Sequence, residues 1–251
     1  CSHVWCGAGT TEMGMQEFYL AIILTLMAGM AMPLGALLAG VDQLRPNWLR
    51  DEYRHGIIAF GGGALLSAVA LVLVPEGIAP LSPWLAALCF VVGGAAFMAL
   101  DILLDKINTP AGQLAAMLSD FLPESLALGA AFAVESSGVL LACLMTLQNL
   151  PEGFNACREL RAATHYRARR IALIFAAMAL LGPIFGVLGY SWLSAYPSVV
   201  AMVMLFAAGG ICYSVFQDIA PQARLEKHWA PPMGAVLGFV LGMVGHQLTM
   251  G

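Results

Sequence analysis

LQNLPEG, residues 147–153, places a proline and then a glutamate inside an apolar segment, and SDFLPES, residues 119–125, does the same in the preceding segment. Both residue types are costly in a membrane-spanning helix. Proline removes a main-chain hydrogen bond, and an ionised glutamate must leave water. A chain that repeats this pattern in two neighbouring segments therefore has a functional reason for it.

The composition around these segments is that of an integral membrane protein. Of the 251 residues, 60% are hydrophobic and 10% are charged, which is far from the usual mix of a soluble domain. A helix needs about 20 apolar residues to cross the hydrocarbon layer. Eight stretches approach that length: 18–40, 56–75, 83–104, 112–134, 138–157, 171–194, 198–217 and 232–250. Such runs exclude a β-barrel. We predict an all-α polytopic membrane protein with eight transmembrane helices, in which residues 1–251 form one domain.

The cations all lie in alternate loops of this scheme. The 11 Lys and Arg residues fall between helices one and two, three and four, five and six, or seven and eight; they are Arg45, Arg50, Arg54, Lys106, Arg158, Arg161, Arg167, Arg169, Arg170, Arg224 and Lys227. The positive-inside rule assigns these loops to the cytoplasm. We expect a location in the cell (inner) membrane, with both termini outside and residues 1–17 as an external tail. No feature supports binding to nucleic acid.

The external tail begins with CSHVWCG. Cys1 and Cys6 either form a disulfide in an oxidising compartment or act with His3 to capture a metal, and the sequence leaves both interpretations open.

The chain also contains a weak internal repeat. Phe60 to Pro75 has the same length as Phe206 to Pro221, with Gly63 matching Gly209, and PLGALLAG from Pro33 is similar to PIFGVLGY from Pro183. The charge rule gives the paired segments opposite directions. This predicts inverted repeats, a common architecture of secondary transporters with a site near the middle of the membrane.

Five oxygen-bearing side chains are predicted to converge between helices four and five. Residues four apart share one helical face, and counting about 1.5 Å per residue puts the two antiparallel helices in register. Pro123 and Pro151 leave carbonyl oxygens without donors. A divalent cation would satisfy carbonyls and carboxylates together. The alternative is that both glutamates are protonated and hydrogen-bonded inside the bundle. The candidate ligands are Asp120, Glu124, Gln148, Asn149 and Glu152.

QNLPEG and DFLPES resemble the paired H-N-x-P-E-G-type signatures of the ZIP (Zrt/Irt-like) family of divalent metal transporters. The resemblance, to a divergent prokaryotic-type member, continues through MPLGALLAG, LVPEG, LLGPIFGVLGY and QDIAPQ. It implies a 3+2+3 arrangement of helices, metal bound between helices four and five, and transport of zinc, iron or manganese into the cytoplasm. It also implies an elevator-like motion of helices 1, 4, 5 and 6 against the rest.

The resemblance assigns the primary metal site to Asp120, Glu124, Gln148 and Glu152. The second metal position of the family retains only Asn149, because Phe121 and Gly182 stand where ligands are expected. Gln217 and Asp218 replace a His-Glu or Glu-Glu pair along the cytoplasmic exit. We expect a single oxygen-rich site, which suits Mn²⁺ better than Zn²⁺, while Fe²⁺ tolerates either ligand type.

Three other functions compete with this interpretation. We expect the protein not to be an enzyme and to use no organic cofactor. The lost second-site ligands also fit a degenerate ZIP-like cation pathway or a metal sensor. An intramembrane hydrolase would use paired carboxylates as acid and base, but the chain lacks a G-x-G-D-like stretch. The bilayer and divalent ions are the expected partners, and a homodimer is left open.

Overall fold

The computed structural model describes residues 6–41, 47–107, 110–133, 138–192, 195–224 and 229–250, and the regular elements in these ranges are all helical. Two π-helical turns, Val69–Leu73 and Val215–Ile219, each lie between two consecutive α-helices. The α-helices are α1 Cys6–Val41, α2 Asn47–Ala68, α3 Val74–Ile78, α4 Pro83–Ile107, α5 Pro110–Ala133, α6 Gly138–Ala163, α7 Ala168–Ala179, α8 Leu181–Ser191, α9 Pro197–Ser214, α10 Ala220–Ala223 and α11 Met233–Met250.

In the described residues these helices join into eight rods, and each rod overlaps one of the predicted stretches. Five of them are long and apolar enough to cross a membrane by length and composition: Met15–Gly40, Arg54–Ile78, Pro83–Leu104, Ala168–Ser191 and Pro197–Ala223. Helix α11 contributes a shorter apolar segment, Met233–Leu248. The protein is therefore a helical membrane protein. Eight crossings remain a prediction, because α5 and α6, which carry the candidate ligands, are not among the five.

The described part of the N-terminal region is helical. Helix α1 begins at Cys6, so most of the predicted external segment 1–17 continues the first rod. Cys1 and His3 lie outside the described residues, and the proposed roles of the tail are not tested.

The two halves of the predicted repeat adopt the same local structure. The π-helical turns occupy Val69–Leu73 and Val215–Ile219, which are equivalent positions when Gly63 is aligned with Gly209. Each turn is followed by a short helix with proline near its start, Pro75 in one copy and Pro221 in the other. The other proposed pair is less alike. Pro33 lies inside the continuous helix α1, whereas the rod containing Pro183 is interrupted at Leu180 between α7 and α8.

The rods pack as two groups. The first group consists of α1, α5, α6, α7 and α8, and the second consists of α2, α3, α4, α9, α10 and α11. The most extensive contacts within the first group join α1 to α6 and α5 to α8. Those within the second join α2 to α11 and α4 to α9. The second rod, which contains α2, packs on the eighth rod, α11. In the same way the seventh rod, which contains α9, packs on the third rod, α4. The two members of the repeat therefore make corresponding contacts.

Glycines bring the helices of each group into backbone contact. A β-carbon at Gly35 of α1 would overlap the Leu150 carbonyl oxygen of α6, and one at Gly129 of α5 would overlap the Gly186 carbonyl oxygen of α8. In the second group, a β-carbon at Gly63 would overlap the Ala235 carbonyl oxygen. Small residues permit such approach between membrane helices, where dispersion contacts drive association.

Candidate functional site

Helix α6 is held against α1 at the LPEG motif itself. Gly153 lies against the main chain of Met32, and Gly35 lies against Leu150 and Phe154. These contacts fix the rotation of α6 around Pro151, which lies inside the helix and is buried. The side chains on the opposite side of α6 are consequently directed toward the second group of helices.

A cavity of about 350 Å³ lies between the two groups at this position. It is lined by parts of α5 and α6 on one side and by parts of α2, α4, α9, α10 and the second π-helical turn on the other. The polar residues that line it are Asp101, Asp120, Glu124, Gln148, Glu152, Asn155, Glu159, Ser214, Asp218 and Gln222. Four of the five predicted ligands thus line one cavity.

The lining is acidic. Six carboxylic side chains border the cavity, and no Lys, Arg or His occurs among the described residues that line it. Such a surface attracts cations, because a cleft lined by one sign of charge between low-dielectric walls concentrates counter-ions.

Glu124 and Gln148 join α5 to α6 across the cavity wall. Glu124 is 3% exposed and Gln148 is 4% exposed. The Gln148 Nε2 amide donates a hydrogen bond of 2.5 Å to Glu124 Oε2. Gln148 Oε1 is buried and has no donor among the described residues. A buried carbonyl oxygen without a partner costs free energy, so this atom is available to a ligand that enters the cavity.

Asn149 is placed differently from the other predicted ligands. Its side chain is 1% exposed, and its Nδ2 amide donates a 2.9 Å hydrogen bond to the Ala28 carbonyl oxygen of α1. It does not appear among the residues that line the cavity. The structure therefore uses its amide group to attach α6 to α1.

The two residues of the predicted cytoplasmic exit, which belong to the second π-helical turn, also differ in position. Asp218 is exposed and lines the cavity, whereas Gln217 is exposed and lies outside the lining. Consecutive residues of a helix point in different directions, so the position of Asp218 in the lining does not bring Gln217 into it.

The cavity also contains acidic residues that the sequence did not place there. Asp101 of α4 accepts a 3.0 Å hydrogen bond from the Tyr213 hydroxyl of α9, and Asn155 and Glu159 extend the lining along α6. The spacing of Gln148, Glu152, Asn155 and Glu159 follows one helical stripe, which was a usable signal. Asp101 had no such signal because it comes from another helix.

One end of the cavity reaches solvent and the other is closed. Glu159, Asp218 and Gln222 are exposed, and they lie near the loops that carry the cations. Beyond Glu124 in α5 and before Gln148 in α6, the space between helices is filled by fully buried apolar side chains, among them Leu128, Leu141, Leu144 and Met145.

The carboxylates border the cavity without gathering at one point. In the described part of the chain, no three His, Cys, Asp or Glu residues are close enough together to hold a metal ion. The donor set around the cavity is carboxylate and amide oxygen, which is the chemistry of hard divalent cations.

Comparison of the chain with models of known protein families, and with curated proteins, finds no match.

Proposed function

We propose that this protein is a secondary transporter of divalent metal cations, with zinc, iron or manganese as substrate and a single carboxylate-rich site between α5 and α6. It follows the ZIP-like scheme suggested by QNLPEG and DFLPES, with inverted repeats in a 3+2+3 arrangement. The observation that carries the proposal is the acidic cavity between two helix groups, into which Asp120, Glu124, Gln148 and Glu152 are all brought.

Glu124, Gln148, Asp120 and Glu152 would bind the ion through their oxygens. Gln148 Oε1 supports this assignment, because it is a buried acceptor that lacks a donor among the described residues. The carboxylates must draw together around the ion, since they do not form a cluster of three in this structure. An ion that binds there compensates the cost of burying the carboxylates, which no cation of the described lining neutralises.

The division into two groups supports an elevator-like motion as the means of transport. Backbone contacts at glycines hold each group together, whereas Gly245 of α11 meets a side chain, that of Leu140, across the boundary. The site lies on the first group, and the exposed end of the cavity lies toward the predicted cytoplasm. The ion would enter when the first group moves so that the closed end opens to the outside.

Uptake of manganese into proteoliposomes tests the function. We expect saturable uptake by the native protein and complete loss of saturable uptake in Glu152→Ala. Glu17→Ala is the matched control, because Glu17 belongs to α1 and lies outside the cavity lining, and it should transport normally. Normal uptake by Glu152→Ala would refute the site.

The same assay distinguishes the alternatives. Because the described lining contains no imidazole or thiolate, zinc should compete with manganese and iron without an advantage of orders of magnitude. A degenerate ion pathway would give linear flux, and a metal sensor would bind ions without flux. The pathway and the sensor together are the second candidate, because the carboxylates of the described residues do not form a cluster that could hold a metal ion. Peptide cleavage without flux would indicate the hydrolase.

A further inference from the structure

The loop between α6 and α7 is a strongly basic surface. Residues 158–170 contain five arginines and a single acidic residue, Glu159. Arg167, Arg169 and Arg170 are all exposed. We call Tyr166, Arg167, Arg169 and Arg170 the arginine patch.

Hydrogen bonds at the end of α6 hold the backbone of the patch in place. The Thr164 hydroxyl donates a 2.5 Å hydrogen bond to the Leu160 carbonyl oxygen, and the Tyr166 N–H donates to the same hydroxyl oxygen at 3.3 Å. The N–H groups of Arg170 and Ile171 donate to the Arg167 carbonyl oxygen at 2.9 and 3.2 Å. These hydrogen bonds shape the turn from α6 into α7.

The side chain of Arg170 lies against an aromatic ring. Its guanidinium carbon lies 3.9 Å from the centre of the Tyr166 ring, which is a cation–π contact. Stacking uses the face of the guanidinium and leaves its N–H edge available. That edge can bind two phosphate oxygens side by side. The ammonium group of lysine lacks this paired geometry.

The local charge lacks compensation within α7. The first turn of this helix contains no acidic residue, and Arg167 makes no side-chain hydrogen bond at the helix start. Cations at this end of a helix are unfavourable, because the helix dipole is positive there. An anion bound to the patch would remove that cost.

The position of the patch indicates which kind of anion would bind there. Ala168–Ser191 is long and apolar enough to span the membrane, so the patch lies where this segment leaves the hydrocarbon. Leu173, one turn farther into α7, is 71% exposed and faces the surroundings of the protein. Anionic lipid headgroups would therefore lie close to the three arginines, and Tyr166 would lie at the depth that interfacial aromatic residues prefer.

We propose that the arginine patch binds the phosphate of anionic phospholipid headgroups. Bound lipid would fix the junction of α6 and α7, which belong to the helix group that carries the metal-site residues. This proposal does not depend on metal transport, because it rests on the charge of the loop, its hydrogen bonds and its place at the end of an apolar segment.

The test measures lipid binding to the full-length protein in neutral detergent. Phosphatidylglycerol and phosphatidylcholine are titrated separately, and bound lipids are counted by native mass spectrometry. Each arginine at a membrane surface contributes about fivefold to affinity for anionic lipid, so Arg169→Gln with Arg170→Gln should weaken phosphatidylglycerol binding by about 30-fold. Lys106→Gln with Arg224→Gln is the matched control, because both residues are exposed and the same charge is removed; it should bind normally.

Two further variants separate lipid binding from folding. Arg169→Lys with Arg170→Lys keeps the charge and should bind phosphatidylglycerol within about tenfold of the native protein. Tyr166→Leu removes the stacking partner of Arg170 and should weaken binding by a few-fold. Each variant should elute from a size-exclusion column at the same volume as the native protein, which shows that a change in lipid binding is not caused by misfolding.

Several results would overturn the proposal. These are equal affinity of the native protein for both lipids, equal losses in the patch and control variants, and full competition by millimolar inorganic phosphate, which would indicate a site for small anions. Tighter binding of a polyglutamate peptide than of phosphatidylglycerol would assign the surface to an acidic protein.

Discussion

At the residue scale, Gln148 has two different polar ends. Its amide nitrogen donates to buried Glu124, while its carbonyl oxygen has no donor in the described part of the chain. The hydrogen bond to Glu124 orients the side chain, and the carbonyl oxygen remains available to a ligand. Gln148 is thus both the partner of one carboxyl group and a candidate ligand itself.

Replacing this amide by an apolar group of similar size should affect stability and binding together. In Gln148→Met, the buried Glu124 loses its donor, which costs about 1–3 kcal/mol, so the thermal unfolding midpoint in detergent should fall. Manganese affinity, measured by isothermal titration, should fall by about tenfold or more, since one oxygen ligand is removed.

Gln247→Met provides the control, because Gln247 is exposed on α11. It should leave both the midpoint and the affinity unchanged. A Gln148→Met protein with native manganese affinity would show that the carbonyl oxygen is no ligand.

At the element scale, the contact between α1 and α6 positions the LPEG motif. Gly35 has no room for a β-carbon, because the main chain of Leu150 and Phe154 occupies that space. Gly56 of α2 has nothing within 4 Å of the equivalent position. The two glycines are both helical, so they form a matched pair for separating packing from helix propensity.

Alanine at these two positions should have opposite effects. Gly35→Ala should lower the thermal midpoint, because forcing α1 away from α6 costs about 1–3 kcal/mol or more. Gly56→Ala should raise it slightly, by up to about 1 kcal/mol of helix propensity. Thermal unfolding followed by tryptophan fluorescence measures both, and equal shifts would contradict this account of the α1–α6 contact.

At the scale of the whole molecule, the boundary between the two helix groups is the surface that must slide if transport is elevator-like. Gly245 and Leu140 face each other across it, whereas Gly40 and Ala168 meet within the first group. A disulfide formed between Gly245→Cys and Leu140→Cys should therefore stop manganese uptake, and reduction should restore it. The pair Gly40→Cys and Ala168→Cys should transport after oxidation, as a control. Unimpaired uptake by the oxidised cross-boundary pair would exclude the motion.

The predicted orientation is tested at the same scale by labelling from one side. In a chain whose native cysteines are replaced, His165→Cys and Arg224→Cys should react with an impermeant maleimide only from the cytoplasm. Ala79→Cys should react only from outside. All three positions are exposed. Labelling of His165→Cys and Ala79→Cys from the same side would remove the basis for the inverted repeats.

The pattern of residues along single helices was predictable for much of the site. Glu124 and Gln148 were expected to converge because residues four apart share a helical face, and they form a hydrogen bond. Asn149 was expected beside them, but its amide is used by α1. Asp101 was not expected at all, because spacing along one helix gives no information about which residues of another helix lie opposite.

The sequence by itself determined that this is a helical membrane protein, since its apolar runs can satisfy their main-chain groups in lipid only as helices. It also determined the acidic stripes of α5 and α6, which follow from helical periodicity. Only the tertiary structure decided which stripes meet around one cavity, because the rotation and depth of each rod are set by contacts such as that of Gly35 with Leu150, whose partners lie far apart in the chain.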